Sequence, residues 1–184
     1  LRRYGRIDVL VTNNGGPPPG YFQDLDDAAF HTGHERTLLS AVRLIRSVLP
    51  AMRVQGWGRI VNITSISVKQ PIDDLLLSNV YRAGVVGLAK TLSRQLAPDG
   101  ITINNVAPSY TRTERIAEIF DARAAEQGRP VDEVMAEASA GYPMGRMAEP
   151  EELAALVAFL ASERASYISG TTIQVDGGFY RGIL

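Results

Sequence analysis

Two hydrophobic periodicities alternate along the chain. Short apolar runs at residues 7–11, 59–64 and 101–106, the last containing Ile101, Ile103 and Val106, have the length of β-strands. The first, Ile7 to Val11, suits a strand buried on both faces of a parallel sheet. Longer segments repeat apolar residues every three or four positions and predict helices. One spans about 34–54 with Leu38, Leu39, Val42, Ile45, Leu49 and Met52. Another runs from about 78 with Val85, Leu88, Ala89, Leu92 and Leu96, and a third covers 150–161 with Leu153, Leu156, Val157 and Leu160. Strand and helix alternate throughout, so right-handed βαβ units and a doubly wound parallel sheet of the α/β class are expected.

Breaks between these segments are chemically marked. Gly56-Trp57-Gly58, Pro98-Asp99-Gly100 and Gly128-Arg129-Pro130 stop helices or turn the chain. Pro50 is expected to kink or end the regular part of its helix. Gly84 and Gly87 each cost roughly 1 kcal/mol relative to Ala in a helix interior, which implies close packing there. The first strand empties into 12–20, a run of Asn, Gly and Pro, placing a loop at the carboxyl edge of the sheet where open α/β folds bind ligands. Further along, 69–77 reads as a loop that lines a substrate pocket or a subunit contact.

Composition narrows the function. The 184 residues fit one domain, and 45% hydrophobic with 21% charged residues is a globular balance. A formal charge of −1 argues against nucleic acid as a partner, because such binding neutralises many phosphates. With no cysteine there is no disulfide framework or thiolate metal site, and His31 and His34 fall on a surface helix, so no metal is expected. No apolar run approaches the roughly 20 residues of a membrane span, and a cytoplasmic location is the default expectation. The chain opens at Leu1 inside what reads as a helix end, residues 1–5, which suggests the later part of a longer polypeptide.

Between residues 58 and 108 the order is a strand reading Gly-Arg-Ile-Val-Asn-Ile-Thr-Ser, a helix with Arg82-Ala83-Gly84-Val85-Val86-Gly87, and a strand ending Asn105-Val106-Ala107-Pro108. This text resembles the short-chain dehydrogenase/reductases, in particular their 3-oxoacyl-carrier-protein reductases. The resemblance covers the whole chain. It implies a Rossmann-like doubly wound sheet, of which this chain supplies the C-terminal part as a single domain, 1–184. It also implies that the N-terminal phosphate-binding strand–helix units are lacking, and that NAD or NADP is the cofactor.

The resemblance assigns roles by position. Ser65 takes the family's catalytic serine position, since 78 − 65 = 13 residues separate it from Ser78; Ser67, a second nearby hydroxyl, is the lesser choice. Ser78 and Arg82 stand where the family carries its Tyr-x-x-x-Lys pair. Thr37 stands where many members carry an Asn that supports the lysine. Asn13 and Gly15 match an Asn-Asn-Ala-Gly motif against the cofactor ribose, Thr12 and Asn14 being departures. Pro108 and Thr113 match a loop that holds the nicotinamide, with Ser109 replacing its glycine. Residues 111–149 correspond to a flap over the substrate. The closing Val175-Asp176-Gly177-Gly178 resembles the family's last strand, which in the family often lies at an oligomer interface, implying a homodimer or homotetramer.

An aliphatic hydroxyl at 78 is far less acidic than a phenol, whose usual pKa is about 10. Arginine, with a pKa above about 12, relays no proton. Tyr81, one turn position from Ser78, is therefore considered as a displaced acid, against a plain packing role. Two readings follow. One is an NAD(P)-dependent oxidoreductase acting on a small carbonyl or alcohol through Ser65, Arg82 and either Ser78 or Tyr81. The other is a catalytically silent binding or scaffolding protein that keeps the fold.

Overall fold

The computed structural model describes residues 4–183, apart from the side chains of residues 115, 118, 119 and 122. The helical remnant expected at 1–5 lies mostly outside them. Four strands form one sheet in chain order: β1 (Val9–Thr12), β2 (Gly58–Ile63), β3 (Ile101–Pro108) and β4 (Thr172–Val175). All three pairings are parallel, so each connection returns over a face of the sheet. Helices α1 (Asp27–Gly33), α2 (Ser40–Gln55) and α3 (Leu76–Leu96) lie between the first three strands, followed by α4 (Glu114–Gln127), α5 (Val131–Ala140) and α6 (Pro150–Leu160). No helix among the described residues is long and apolar enough to cross a membrane.

Each face of the sheet has its own core, as expected of a doubly wound fold. On one face Ile45, Val48 and Met52 of α2 and Ala89 and Leu96 of α3 enclose Ile60, Ile101 and Ile103. On the other, Leu160 of α6 and Ala165 cover Val61 and Val106. Burying each of these large side chains contributes roughly 1.5–3 kcal/mol. A third cluster belongs to α4 and α5, where Phe120, Ala124, Val134 and Met147 pack together. That excursion is pinned at its base by a bridge between Thr111 and Ala148, with the Arg112 N–H donating to Ala148 O at 2.8 Å.

Strand register is fixed by a row of side chains that crosses the whole sheet. Thr12, Asn62, Asn105 and Thr172 are aligned partners on successive strands. The Thr12 hydroxyl donates to Asn62 Oδ1 (2.8 Å), Asn62 Nδ2 to Asn105 Oδ1 (3.0 Å), and Asn105 Nδ2 to Thr172 Oγ1 (3.1 Å). Both asparagines are buried, so slipping any strand by one residue would leave desolvated amides unpaired.

Several expectations are corrected. Among the described residues β1 stands at one side of the sheet, and Val9 and Val11 are 38% and 41% exposed there rather than buried on both faces. Pro50 does not end its helix, which runs on to Gln55 with the proline on its exposed side. Gly84 does meet a close neighbour, since a Cβ there would stand 3.2 Å from Leu38 Cδ2, but the space beside Gly87 is open. The 69–77 loop is shorter than expected because α3 begins at Leu76 and buries Leu77 completely.

Two substitutions on the sheet are expected to act in opposite directions. Asn62→Ala breaks the polar row and orphans two buried partners, and should lower the unfolding free energy by about 3 kcal/mol in urea denaturation. The buried Thr102 hydroxyl has no hydrogen-bond partner. Thr102→Val should therefore raise stability by about 1 kcal/mol in the same measurement.

Candidate active site

The carboxyl ends of β1, β2 and β3 open into three loops, and Arg82 of α3 ties two of them together. Its Nη1 donates to Ile63 O (2.9 Å) and Thr64 O (2.8 Å) at the end of β2, and its Nη2 donates to Gly15 O (2.9 Å) in the loop after β1. Burial pulls its pKa below the usual arginine value. The planar guanidinium fork suits this task, since divergent carbonyls can each take one of its fixed N–H groups. The cation expected to stabilise charge on a substrate is thus engaged with three backbone oxygens.

The π-helical turn His34–Leu39 leads directly into α2, and such a turn leaves carbonyls without their regular partners. Asn14 meets them. Its amide donates to the carbonyls of Arg36 and Thr37, the latter at 3.2 Å, and to Ser40 Oγ at 2.5 Å. The Ser40 hydroxyl adds a bond to Arg36 O at 2.6 Å. Sequence reasoning noted Asn14 only as a departure from the family text. A π-turn has no sequence signature that would have revealed its partner. Thr37 is buried, its hydroxyl has no hydrogen-bond partner, and it lines a cavity of about 10 Å³ together with Thr12, Asn14 and Arg82.

The hydroxyls are distributed differently from the expectation. Ser65 lies two residues beyond β2 and accepts the Ser67 N–H (3.1 Å), capping a short 3-10 turn. The hydroxyl within reach of Ser78 belongs to Ser67, with the two oxygens 3.4 Å apart and both residues buried. Sequence interval alone had ranked Ser67 second. The 3-10 turn Ile66–Val68 brings it under α3, and the interval carries no sign of that turn.

Tyr81 is a correction. Its hydroxyl donates to Phe30 O of α1 (2.9 Å), and its ring lies beside His34 with centroids 5.8 Å apart. Gly33 makes room for it, since a Cβ there would sit 2.9 Å from Tyr81 Cε2. At about 100° per residue, Tyr81 follows Ser78 on the helix but faces α1, so it packs rather than serving as the displaced acid.

Ser65 lines a cavity of about 240 Å³ with Ile66, Ile72, Leu75, Pro108, Ser109, Tyr110, Ala138, Tyr142 and Phe179. Its wall thus combines the ends of β2 and β3 with the far end of α5. Ser109 needs no unusual backbone to replace a glycine, because no non-glycine among the described residues has positive φ. Its N–H donates to Val175 O (3.1 Å). Thr113 caps α4, its hydroxyl accepting the Ile116 N–H at 3.4 Å, and it is exposed alongside Asn13 and Gly15. Tyr142, which the sequence reading did not single out, is buried in this wall. Its phenol pKa is raised, chiefly by burial, against hydrogen bonds from the Tyr110 backbone and the Ser109 side chain that act to lower it.

This geometry has close counterparts. A family model described as "Enoyl-(Acyl carrier protein) reductase" matches residues 1–180. The monensin polyketide synthase putative ketoacyl reductase of Streptomyces virginiae is 38% identical over 181 residues, which are 96% of this chain and 68% of that protein. The 3-oxoacyl-[acyl-carrier-protein] reductase FabG of Vibrio cholerae is 32% identical, with 96% of this chain and 68% of that protein covered. The L-sorbose reductase of Gluconobacter frateurii, solved with NADPH and L-sorbose, superposes with a TM-score of 0.94 at 30% identity, over 99% of this chain and 70% of that one. The chain spans about two thirds of the length of these proteins. On sequence and on structure, it belongs to the short-chain dehydrogenase/reductase family.

Proposed function

We propose that the protein is an NAD(P)-dependent oxidoreductase that reduces a ketone or oxidises a secondary alcohol, in the manner of a 3-oxoacyl-carrier-protein reductase, with a divergent active site. The observation that carries this reading is Ser65. It stands just beyond the carboxyl end of β2 and lines a cavity with Pro108 and Ser109. Active sites of open α/β sheets lie at this edge.

The residues present suit the nicotinamide and ribose end of the cofactor. Gly15 has φ 67 and open space where a Cβ would stand, so the exposed backbone at Asn13–Gly15 admits close approach of a ligand. Pro108 and Thr113 offer the other side. When bound, the cofactor supplies or accepts the hydride. Ser65 then holds the substrate oxygen through its hydroxyl hydrogen, because its lone pair is already turned to the Ser67 N–H. Arg82 keeps the loops after β1 and β2 at fixed separation, and Ser78 with Ser67 forms a buried hydroxyl pair behind Ser65. Residues 111–149 cover the cavity as a flap, and the protein works in the cytoplasm as a homodimer or homotetramer.

A second reading has its own support. Arg82 is spent on carbonyls, Tyr81 on Phe30, and Ser78 faces Ser67, so neither the Tyr-x-x-x-Lys pair nor a displaced Tyr81 supplies a proton. A binding protein that kept the fold without turnover would look like this.

One assay separates the two. Full-length protein given NADPH or NADH and a panel of ketones should oxidise the reduced cofactor, and Ser65→Ala should lower kcat/KM by about 10²-fold, a loss of about 2.7 kcal/mol in transition-state stabilisation. Cofactor binding without turnover across the panel would favour the silent protein.

A further inference from the structure

We propose that the Tyr142 phenol is the hydrogen-bond donor that holds the substrate oxygen together with Ser65, and that the substrate is an uncharged, mainly apolar ketone or secondary alcohol. The proposal rests on the oxidoreductase reading above and names the substrate class of the same cavity. Its first support is the position of the residue. Tyr142 follows α5, is only 7% exposed, and lines the cavity that Ser65 and Ser109 line. The flap therefore brings a phenol into the cavity at a site whose helix carries Ser78 in place of one.

The ring is held on two sides. Phe179 lies 5.1 Å away between centroids and Tyr110 lies 6.5 Å away at a steep angle. Backbone bonds fix the segment: the Tyr142 N–H donates to Ser139 O (3.0 Å), and the Met144 N–H to Gly177 O (3.2 Å). Asp176 shapes the other wall by accepting the N–H groups of Gly178 (3.1 Å) and Tyr180 (2.8 Å), which sets Phe179 against Tyr142. Such a ring has little rotational freedom left to lose when a ligand arrives.

A neutral phenol in the cavity wall can donate a hydrogen bond to a ligand oxygen. Burial keeps the group protonated beyond the ordinary tyrosine range, so near neutral pH it gives a hydrogen bond and does not take a proton. Tyr110, the other phenol in the wall, turns its ring to Phe120 and the flap core at a centroid distance of 5.9 Å.

The remaining wall defines the ligand. Ile66, Ile72, Leu75, Pro108, Ala138 and Phe179 are apolar, and no charged residue lines the cavity. A carboxylate or phosphate placed there would lose its hydration without gaining a countercharge. A neutral carbonyl compound loses little and gains the two hydroxyl donors.

The test uses full-length protein and acetophenone labelled with ¹³C at the carbonyl. Wild-type protein should bind it and move its carbonyl resonance downfield, as donation to the oxygen requires, while acetoacetate should bind at least tenfold more weakly. Tyr142→Phe keeps the ring contacts, so an unchanged circular dichroism spectrum is expected. It should lose most of the shift and bind acetophenone five- to tenfold more weakly, the loss expected for one hydrogen bond of about 1 kcal/mol. An unchanged shift and affinity in folded Tyr142→Phe, or tighter binding of acetoacetate than acetophenone, overturns the proposal. Turnover with NADPH is scored separately. Tyr142-dependent binding without turnover of any ketone would remove the oxidoreductase reading and keep this donor, whereas turnover indifferent to Tyr142→Phe would remove the donor and keep the reading.

Discussion

Three backbone carbonyls held by one guanidinium organise the functional edge of this molecule. Arg82 reaches from α3 to Ile63, Thr64 and Gly15, joining the helix to the ends of two strands. A lysine has three donors on one nitrogen and would not span these positions in the same way, since its ammonium acts as a compact point charge. The arginine at this position thus holds the two loops against the helix. Hydrogen bonds from a charged donor to carbonyls in a partly buried setting are each worth about 1.5–3 kcal/mol, enough to hold the loops without help from a ligand.

Other departures from the family text become coherent around this arrangement. Asn14 caps the carbonyls that the π-turn His34–Leu39 leaves open. Ser67 pairs with Ser78, Tyr81 secures α1 through Phe30, and Tyr142, which follows α5, brings a phenol to the cavity wall. These contacts place hydroxyls near a fixed cation. The protein scaffold beneath them is conventional: a parallel sheet with cores on both faces and a polar row that sets its register.

How much of this the sequence disclosed depends on the range of the interaction. Helix periodicity is local, so α3 and α6 were legible to within a few residues, as were β2 and β3. The apolar run at Ile7–Val11 records hydrophobicity but not which neighbours flank the strand, and among the described residues β1 has one, β2. Arg59, charged in the sequence and only 2% exposed, lies over Trp57 at 4.4 Å and donates to Gly58 O and Gly100 O, partners that only the folded chain brings near. In the site, matching by interval found Ser65, Ser78 and Arg82 but not what each touches. Interval counts cannot register a 3-10 turn after Ser65 or a π-turn before α2, and those two irregularities decide which hydroxyls and carbonyls meet.

Amide hydrogen exchange on full-length wild-type protein and on Arg82→Met can show whether the guanidinium has this architectural role. If Arg82 braces the loops, exchange at residues 13–20 and 64–68 should accelerate at least tenfold in the variant, while the centre of β3 keeps its protection. Unchanged exchange in both loops, with the sheet equally protected in the two proteins, would contradict a bracing role and return Arg82 to the chemistry of the substrate.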